Sequence, residues 1–186
     1  MPFTETPIRG LVIYEPMVFE DNRGYFFESF NEKIFTREGI TQSFVQDNQS
    51  HSGYGVIRGL HYQLSPHAQS KLVRVLSGKI LDVAVDIRKG SPTYGRHFAI
   101  ELSADNKKQL YIPHGFAHGF SVLSETADVL YKCDAFYNKE SEGGIRYNDP
   151  ILQIDWKIAA GKEVVSEKDI QNPLFVDCKN NFVLEG

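Results

Sequence analysis

Polar side chains able to move protons or hold an anion crowd onto segments that read as β-strands. They are Gln46-Asp47-Asn48, Arg58-Gly59-Leu60-His61-Tyr62-Gln63 with Lys71, and Pro113-His114-Gly115-Phe116-Ala117-His118-Gly119-Phe120, followed by Tyr131-Lys132-Cys133. His61 and Gln63 share parity, so both can point to one face of a strand. A set made of His61, Gln63, Lys71 and His118 is a poor metal site, because an ammonium repels a divalent cation. The same set suits an anion or a developing oxyanion, which a positioned ammonium stabilises. Arg58 and His61 differ in parity, and a regular strand would place them on opposite faces. Gly59 is the place for a bulge or kink that re-aims one of them.

The elements that must hold these residues are mostly strands. Apolar and polar residues alternate in Lys79 to Arg88, with Leu81, Val83, Val85 and Ile87 on one parity. Ile80, Asp82, Ala84 and Asp86 occupy the other, which predicts a strand with one wet face and makes Asp82 and Asp86 solvated or structural. Further β-rich runs are Leu11–Tyr14, Tyr25–Phe30, Phe44–Asp47, Val56–Gln63 and Leu72–Leu76. They continue through His97–Leu102, Gln109–Ile112, Gly119–Leu123, Asp128–Cys133 and Ile145–Asn148. Turn residues separate them at spacings of about ten residues, the pattern of an antiparallel barrel or double-sheet jelly roll. Helical signals are few. Asn31 can cap a helix over Glu32–Glu38 that ends at Gly39, and Ser166 can open one before Pro173. With no linker or repeat, residues 1–186 are expected to form a single all-β domain, with 179–186 a flexible tail.

The chain has 186 residues, 20 Lys and Arg against 24 Asp and Glu, and two cysteines. A net charge of -4 gives no broad attraction to nucleic acid, so a polyanionic ligand would need a local basic pocket. Neither a secretory signal in Met1–Pro7 nor an apolar run of about 18 residues is visible, and Cys133 and Cys178 lack metal spacing. The expectation is a reduced, cytoplasmic protein without contact with membrane or nucleic acid.

Small barrels of the cupin type commonly carry a His-x-His pair, a carboxylate and a distant histidine after Pro-x-Gly-x-x-His. Here the second histidine position is Gln63, the carboxylate region offers Lys71, and only Pro113 to His118 keeps the pattern. Asp21-x-Arg23-Gly24-x-Phe26-x-Glu28, Gln46-Asp47-Asn48-x-Ser50, Arg58-Gly59-Leu60-His61-Tyr62-Gln63 and Asp82-Val83-Ala84-Val85-Asp86-Ile87-Arg88 run in order. Pro113-x-Gly115-Phe116-Ala117-His118-Gly119-Phe120, Tyr131-Lys132 and Glu142-Gly143 follow. From about Arg9 to about Pro173 this ordered set resembles the dTDP-4-dehydrorhamnose 3,5-epimerases, cupin-fold enzymes of dTDP-L-rhamnose synthesis.

The resemblance implies a cupin-type jelly-roll barrel with short peripheral helices, acting on a dTDP-4-keto-6-deoxy sugar with no metal or cofactor. It makes His61 the base, paired with Asp169, and Tyr131 the proton donor, while Lys71 faces the C4 oxyanion. Arg23 and Arg58 would bind the pyrophosphate. Glu28, Gln46, Asp47, Asn48, His118, Glu142 and Lys168 would complete the ligand shell. Tyr137 would stack on thymine from an opposing subunit, implying a homodimer with composite sites. Phe136 departs from the pattern, standing where another tyrosine is often found. His51, His67, His97 and His114 are expected to have no role. The competing readings are a single-site 3- or 5-epimerase, a 3,4-ketoisomerase, a metal-dependent cupin dioxygenase, and a non-catalytic sugar-nucleotide-binding module.

Overall fold

A computed structural model describes residues 2–184. In chain order the strands begin with β1 (Phe3–Glu5), β2 (Val12–Tyr14), β3 (Phe19–Asp21) and β4 (Gly24–Phe26), followed by helix α1 (Glu32–Arg37). The long strands are β5 (Gln46–Gly53), β6 (Val56–Gln63), β7 (Lys71–Ser77), β8 (Lys79–Asp86) and β9 (His97–Ser103). After these come β10 (Gln109–Ile112), β11 (Phe116–Val122), β12 (Thr126–Cys133), β13 (Glu142–Gly144), β14 (Val164–Val165) and helix α2 (Glu167–Ile170).

Two sheets face one another. The first runs β1-β2-β10-β7-β12-β5 and the second β13-β6-β11-β8-β9, with β14 alongside β6; β3 and β4 form a separate hairpin. Pairing is antiparallel except for β14. The expected jelly-roll barrel is the fold adopted. Val73, Val75, Leu110, Ile112 and Val129 of the first sheet meet Ile80, Ala84, Leu102, Phe116, Phe120 and Val122 of the second. Removing this apolar area from water supplies the main driving force for closing the barrel, at ~25 cal/mol per Å².

Strand β8 corrects the expectation of a wet face. Leu81, Val83, Val85 and Ile87 lie under a second core formed with Leu152, Trp156, Phe175 and Phe182 from the C-terminal third. Ile80, Asp82, Ala84 and Asp86 are also buried. Both faces are dry because the chain folds back over the sheet. Asp86 is structural rather than solvated, holding Arg88 Nε at 2.8 Å, Ser91 Oγ at 2.6 Å and Thr93 Oγ1 at 2.6 Å.

Residues 179–184 of the expected tail take part in the same fold-back. Phe182 is buried, Asn181 bonds the main chain of Ser65 in both directions, and Leu184 N–H donates to Lys89 O at 2.9 Å. Residues 185 and 186 of that expected tail lie outside the described residues. Strand β13 occupies 142–144 in place of the expected 145–148, and of the expected run Tyr25–Phe30 only Tyr25 and Phe26 are strand, in β4. Both helices start where their caps predict, with Asn31 and Ser166 accepting main-chain N–H groups.

Candidate active site

One end of the barrel stays open, and polar and apolar side chains share its inner surface. Two adjoining lobes, of roughly 520 and 440 Å³, share Ser50, Arg58, His61, Lys71 and Tyr131 as walls. His61 and Arg58 come from β6 of the second sheet, and Lys71 and Tyr131 from β7 and β12 of the first. Base and acid candidates thus stand on opposing sheets.

Arg58 and His61 reach the same cavity because β6 carries one extra residue. His118 of β11 pairs with His61, while Phe120 pairs with Arg58, so two steps on β11 match three on β6. The extra step is at Gly59, where φ is +120° and an added Cβ would lie 2.6 Å from Gly119 Cα. Only glycine permits that approach. The irregularity expected from parity is present.

Three features hold His61. Its Nε2 lies 2.5 Å from Oδ1 of Asp169, whose Oδ2 accepts the Gly59 N–H at 3.3 Å. Asp169 itself is placed by the α2 cap, where its own N–H donates to Ser166 Oγ at 3.1 Å. Burial works against the Asp169 charge, but the His61 hydrogen bond and charge, aided by Gly59 and Ser166, hold its carboxyl below the ordinary value. A carboxylate on Nε2 leaves Nδ1 as the free ring nitrogen, the tautomer of a general base.

A second histidine–carboxylate pair lies deeper. His118 Nε2 is 2.8 Å from Asp82 Oδ1, both side chains being buried, and Asp82 Oδ2 has no hydrogen-bond partner. Burial pulls His118 below its ordinary value, against the opposing pull of Asp82. Asp82 is therefore structural rather than solvated, one of the two readings that the alternation in β8 left open.

Lys71 is 9% exposed and sits with its Nζ 5.6 Å from the centre of the Tyr131 ring. Desolvation lowers its pKa, partly offset by Cys133 and Asp82. Tyr131 is shifted the other way, raised chiefly by burial. Asn48 lines the second lobe, its Nδ2 donating to Cys133 Sγ at 3.7 Å and its Oδ1 accepting from Gln46 Nε2 at 3.0 Å. Burial pushes the Cys133 thiol up to about 11, so it remains protonated.

The rim is formed by Tyr137, Glu142 and Lys168. Lys168 Nζ donates to Glu142 Oε1 at 2.6 Å, and Tyr137 Oη donates to Glu142 Oε2 at 3.3 Å. Tyr137, expected to stack on thymine from an opposing subunit, lines the second lobe of its own chain, where Gln46 Oε1 accepts its N–H at 3.1 Å.

Three expected site residues are not brought into the cavity. Asp47 points outward from β5 and pairs with Lys132 at 3.1 Å, because inward positions on that strand fall on Gln46, Asn48, Ser50 and Ser52. Arg23 lies in the β3–β4 hairpin, 85% exposed and paired with Asp21. Glu28 lines a separate apolar pocket with Tyr14, Met17, Phe19 and Ile34, and its Oε1 accepts from Asn31 Nδ2 at 3.0 Å.

Ser50, whose buried Oγ has no partner among the described residues, and Val164, Val165 and Ser166, which form a wall of the first lobe, were not among the expected site residues. The spacing of Ser50 from Gln46 and Asn48 along one parity was the signal for the first. Among the described residues no group of three or more His, Cys, Asp or Glu gathers with metal-ligating geometry.

The chain is similar to known proteins over most of its length. Residues 5–177 match the family model described as dTDP-4-dehydrorhamnose 3,5-epimerase. The dTDP-4-dehydrorhamnose 3,5-epimerase of Shigella flexneri is 52% identical over 178 residues, covering 95% of this chain and 97% of that protein. The solved dTDP-4-dehydrorhamnose 3,5-epimerase of Elizabethkingia anophelis NUHP1 superposes with a TM-score of 0.90 at 56% identity, covering 94% of this chain and 96% of its own. A Legionella pneumophila dTDP-6-deoxy-D-glucose-3,5-epimerase, solved with dTDP-4-keto-L-rhamnose, gives 0.90 at 50% identity, covering 94% and 93%.

Proposed function

The chain belongs to the dTDP-4-dehydrorhamnose 3,5-epimerase family, and from that premise we propose how its residues divide the work. It is an isomerase that converts dTDP-4-dehydro-6-deoxy-D-glucose to dTDP-4-dehydro-L-rhamnose, in dTDP-L-rhamnose synthesis. The C4 keto group acidifies the protons on C3 and C5. His61 Nδ1 takes such a proton, and the electron pair of the broken C–H bond moves onto the C4 oxygen as an enolate. The imidazolium that forms is stabilised by Asp169. Lys71 faces the enolate oxygen, where an ammonium in a desolvated site is most effective. Tyr131 Oη then returns a proton to the same carbon from the opposite face, inverting it, and solvent restores both side chains. One further cycle at the other carbon completes the reaction.

The observation that carries this reading is the placing of His61–Asp169 and Tyr131 on opposing walls of one cavity, with Lys71 beside the acid. In this reading Arg58 and Lys168 meet the pyrophosphate, Asn48, Gln46, His118 and Glu142 complete the shell, and Tyr137 stacks on the base. Arg23 and Glu28 join the ligand from a second copy of the chain, giving a homodimer with composite sites. Their position outside the chain's own cavity supports that assignment, as do the exposed Phe19, Tyr25 and Phe26 on the β3–β4 hairpin. A cytoplasmic setting is supported by two free cysteines; no helix among the described residues is long and apolar enough to cross a membrane.

The test is the product's stereochemistry after incubation with the dTDP-4-keto sugar. Inversion at both C3 and C5 is the expected outcome. Inversion at one carbon, or movement of the keto group to C3, would replace this reading.

A further inference from the structure

Residues 135–138 lie at the cavity rim with no strand or helix of their own, and they carry Tyr137, a residue 56% exposed. A main chain of this kind is held by whatever bonds it can find, and here the partners are three glutamine side chains. Gln69 Nε2 donates to Ala135 O at 2.8 Å. Gln63 Nε2 donates to Phe136 O at 3.3 Å, and its Oε1 accepts the Asn138 N–H at 2.7 Å. Gln46 completes the set at the Tyr137 N–H. Gln63 thus grips both residues that flank Tyr137, while its Nε2 also donates to His67 O at 2.6 Å.

A carboxamide offers a donor and an acceptor at one end, so a single side chain can bond a carbonyl and an N–H together. A carboxylate or an apolar isostere cannot. Gln63 is 4% exposed, which keeps water from replacing these bonds. Stacking on a planar base gains most when the ring is already in place, because ordering a loop during binding subtracts from affinity.

We propose that Gln63, assisted by Gln69, is a positioning residue for the nucleotide: it fixes the 135–138 segment so that Tyr137 presents its ring to the base before ligand arrives. The inference rests on the reading of Tyr137 as the base-stacking residue. Gln63 acts through that ring and has no part in proton transfer. The polar position at which a metal-binding barrel would place a ligand is here turned to holding a loop.

The experiment compares Gln63→Leu, Gln69→Leu, Tyr137→Ala and the Gln63→Leu/Tyr137→Ala double variant with the unaltered protein. The readouts are KM and kcat for the dTDP-4-keto sugar, the affinity for dTDP, and amide hydrogen exchange of the peptide spanning 135–138. Gln63→Leu is expected to raise KM and weaken dTDP binding by about tenfold, with kcat changed less than about twofold. Exchange in that peptide should accelerate, and in the Tyr137→Ala background Gln63→Leu should add nothing. Gln69→Leu, which removes one bond at a half-buried site, should show the same pattern in smaller measure and stands in if Gln63→Leu does not fold. A KM rise of the same size in the Tyr137→Ala background, or a loss confined to kcat, would overturn the proposal. If Tyr137→Ala alone leaves dTDP affinity unchanged, the stacking reading fails first and takes the proposal with it. Unchanged exchange and affinity in Gln63→Leu, beside a weakened Tyr137→Ala, refute the clamp alone.

Discussion

His61 Nε2 lies 2.5 Å from Asp169 Oδ1, although the two residues belong to a strand and a short helix 108 residues apart in the chain. The other oxygen of the same carboxylate takes the Gly59 N–H. One carboxylate therefore fixes the imidazole and anchors the bulge that aims it. This joint hold connects the sheet geometry to the chemistry, and it locates where substitutions should act.

Tyr131 carries the proton returned to carbon. Tyr131→Phe keeps the ring beside Lys71 but removes the hydroxyl, so abstraction by His61 continues while delivery from the opposite face stops. Turnover to the epimerised product should fall by about 10²–10⁴-fold. In deuterated water the recovered substrate should still gain deuterium at its original configuration. Loss of wash-in together with turnover would mean that Tyr131 is needed for abstraction too.

The alkaline limb of the pH profile should belong to Lys71. Burial lowers its pKa, so it loses its charge at lower pH than an ordinary lysine at about 10.4. Burial raises Tyr131, which keeps its proton to higher pH than an ordinary phenol. As pH rises through the depressed Lys71 value the oxyanion loses its ammonium and kcat declines. Lys71→Arg, with a guanidinium charged throughout, should move that limb upward whatever residual rate it leaves. A limb that stays in place would belong to another group.

Gly59→Ala tests the bulge. The new Cβ would meet Gly119 Cα at 2.6 Å and His118 O at 2.7 Å, at a φ of +120° that side chains rarely adopt. Urea unfolding should show a loss of about 2–4 kcal/mol. The folded fraction should also turn over at least about tenfold more slowly, because His61 shifts against the substrate. Unaltered stability and rate would show that β6 does not depend on glycine there.

Much of this arrangement was legible in the sequence. The β-rich runs Val56–Gln63 and Gln109–Ile112 matched the strands residue for residue, and the parity conflict between Arg58 and His61 pointed to Gly59. Asn31 and Ser166 announced their helices through local capping chemistry. Tertiary cover was less accessible: nothing local says that Leu152, Trp156 and Phe182 return to bury the second face of β8. For that reason the sequence left Asp82 open between a solvated and a structural role, and burial decides for the structural one. Asp47 was misplaced because a polar interior inverts the usual alternation, leaving Asn48 inside and Asp47 outside. The rim at Tyr137 depends on glutamine side chains far away in sequence, which no periodicity records.

Composite sites can be tested by complementation. Arg23→Ala and His61→Asn should each be inactive alone, the first lacking a pyrophosphate donor and the second a base. If the hairpin of one chain completes the cavity of another, unfolding and refolding an equal mixture should restore about a quarter of normal activity, since half the dimers are mixed and each has one intact site. No recovery would place Arg23 in the service of its own chain.

The most direct test of the central claim is the deuterium count in product made in deuterated water, with His61→Asn run alongside. Abstraction and return at both carbons that flank the keto group should place deuterium at C3 and at C5. His61→Asn should bind dTDP with little change yet lose incorporation at both positions, by about 10²–10⁴-fold. Deuterium at one carbon only, or incorporation that survives in His61→Asn, would contradict a two-centre epimerase driven by this histidine.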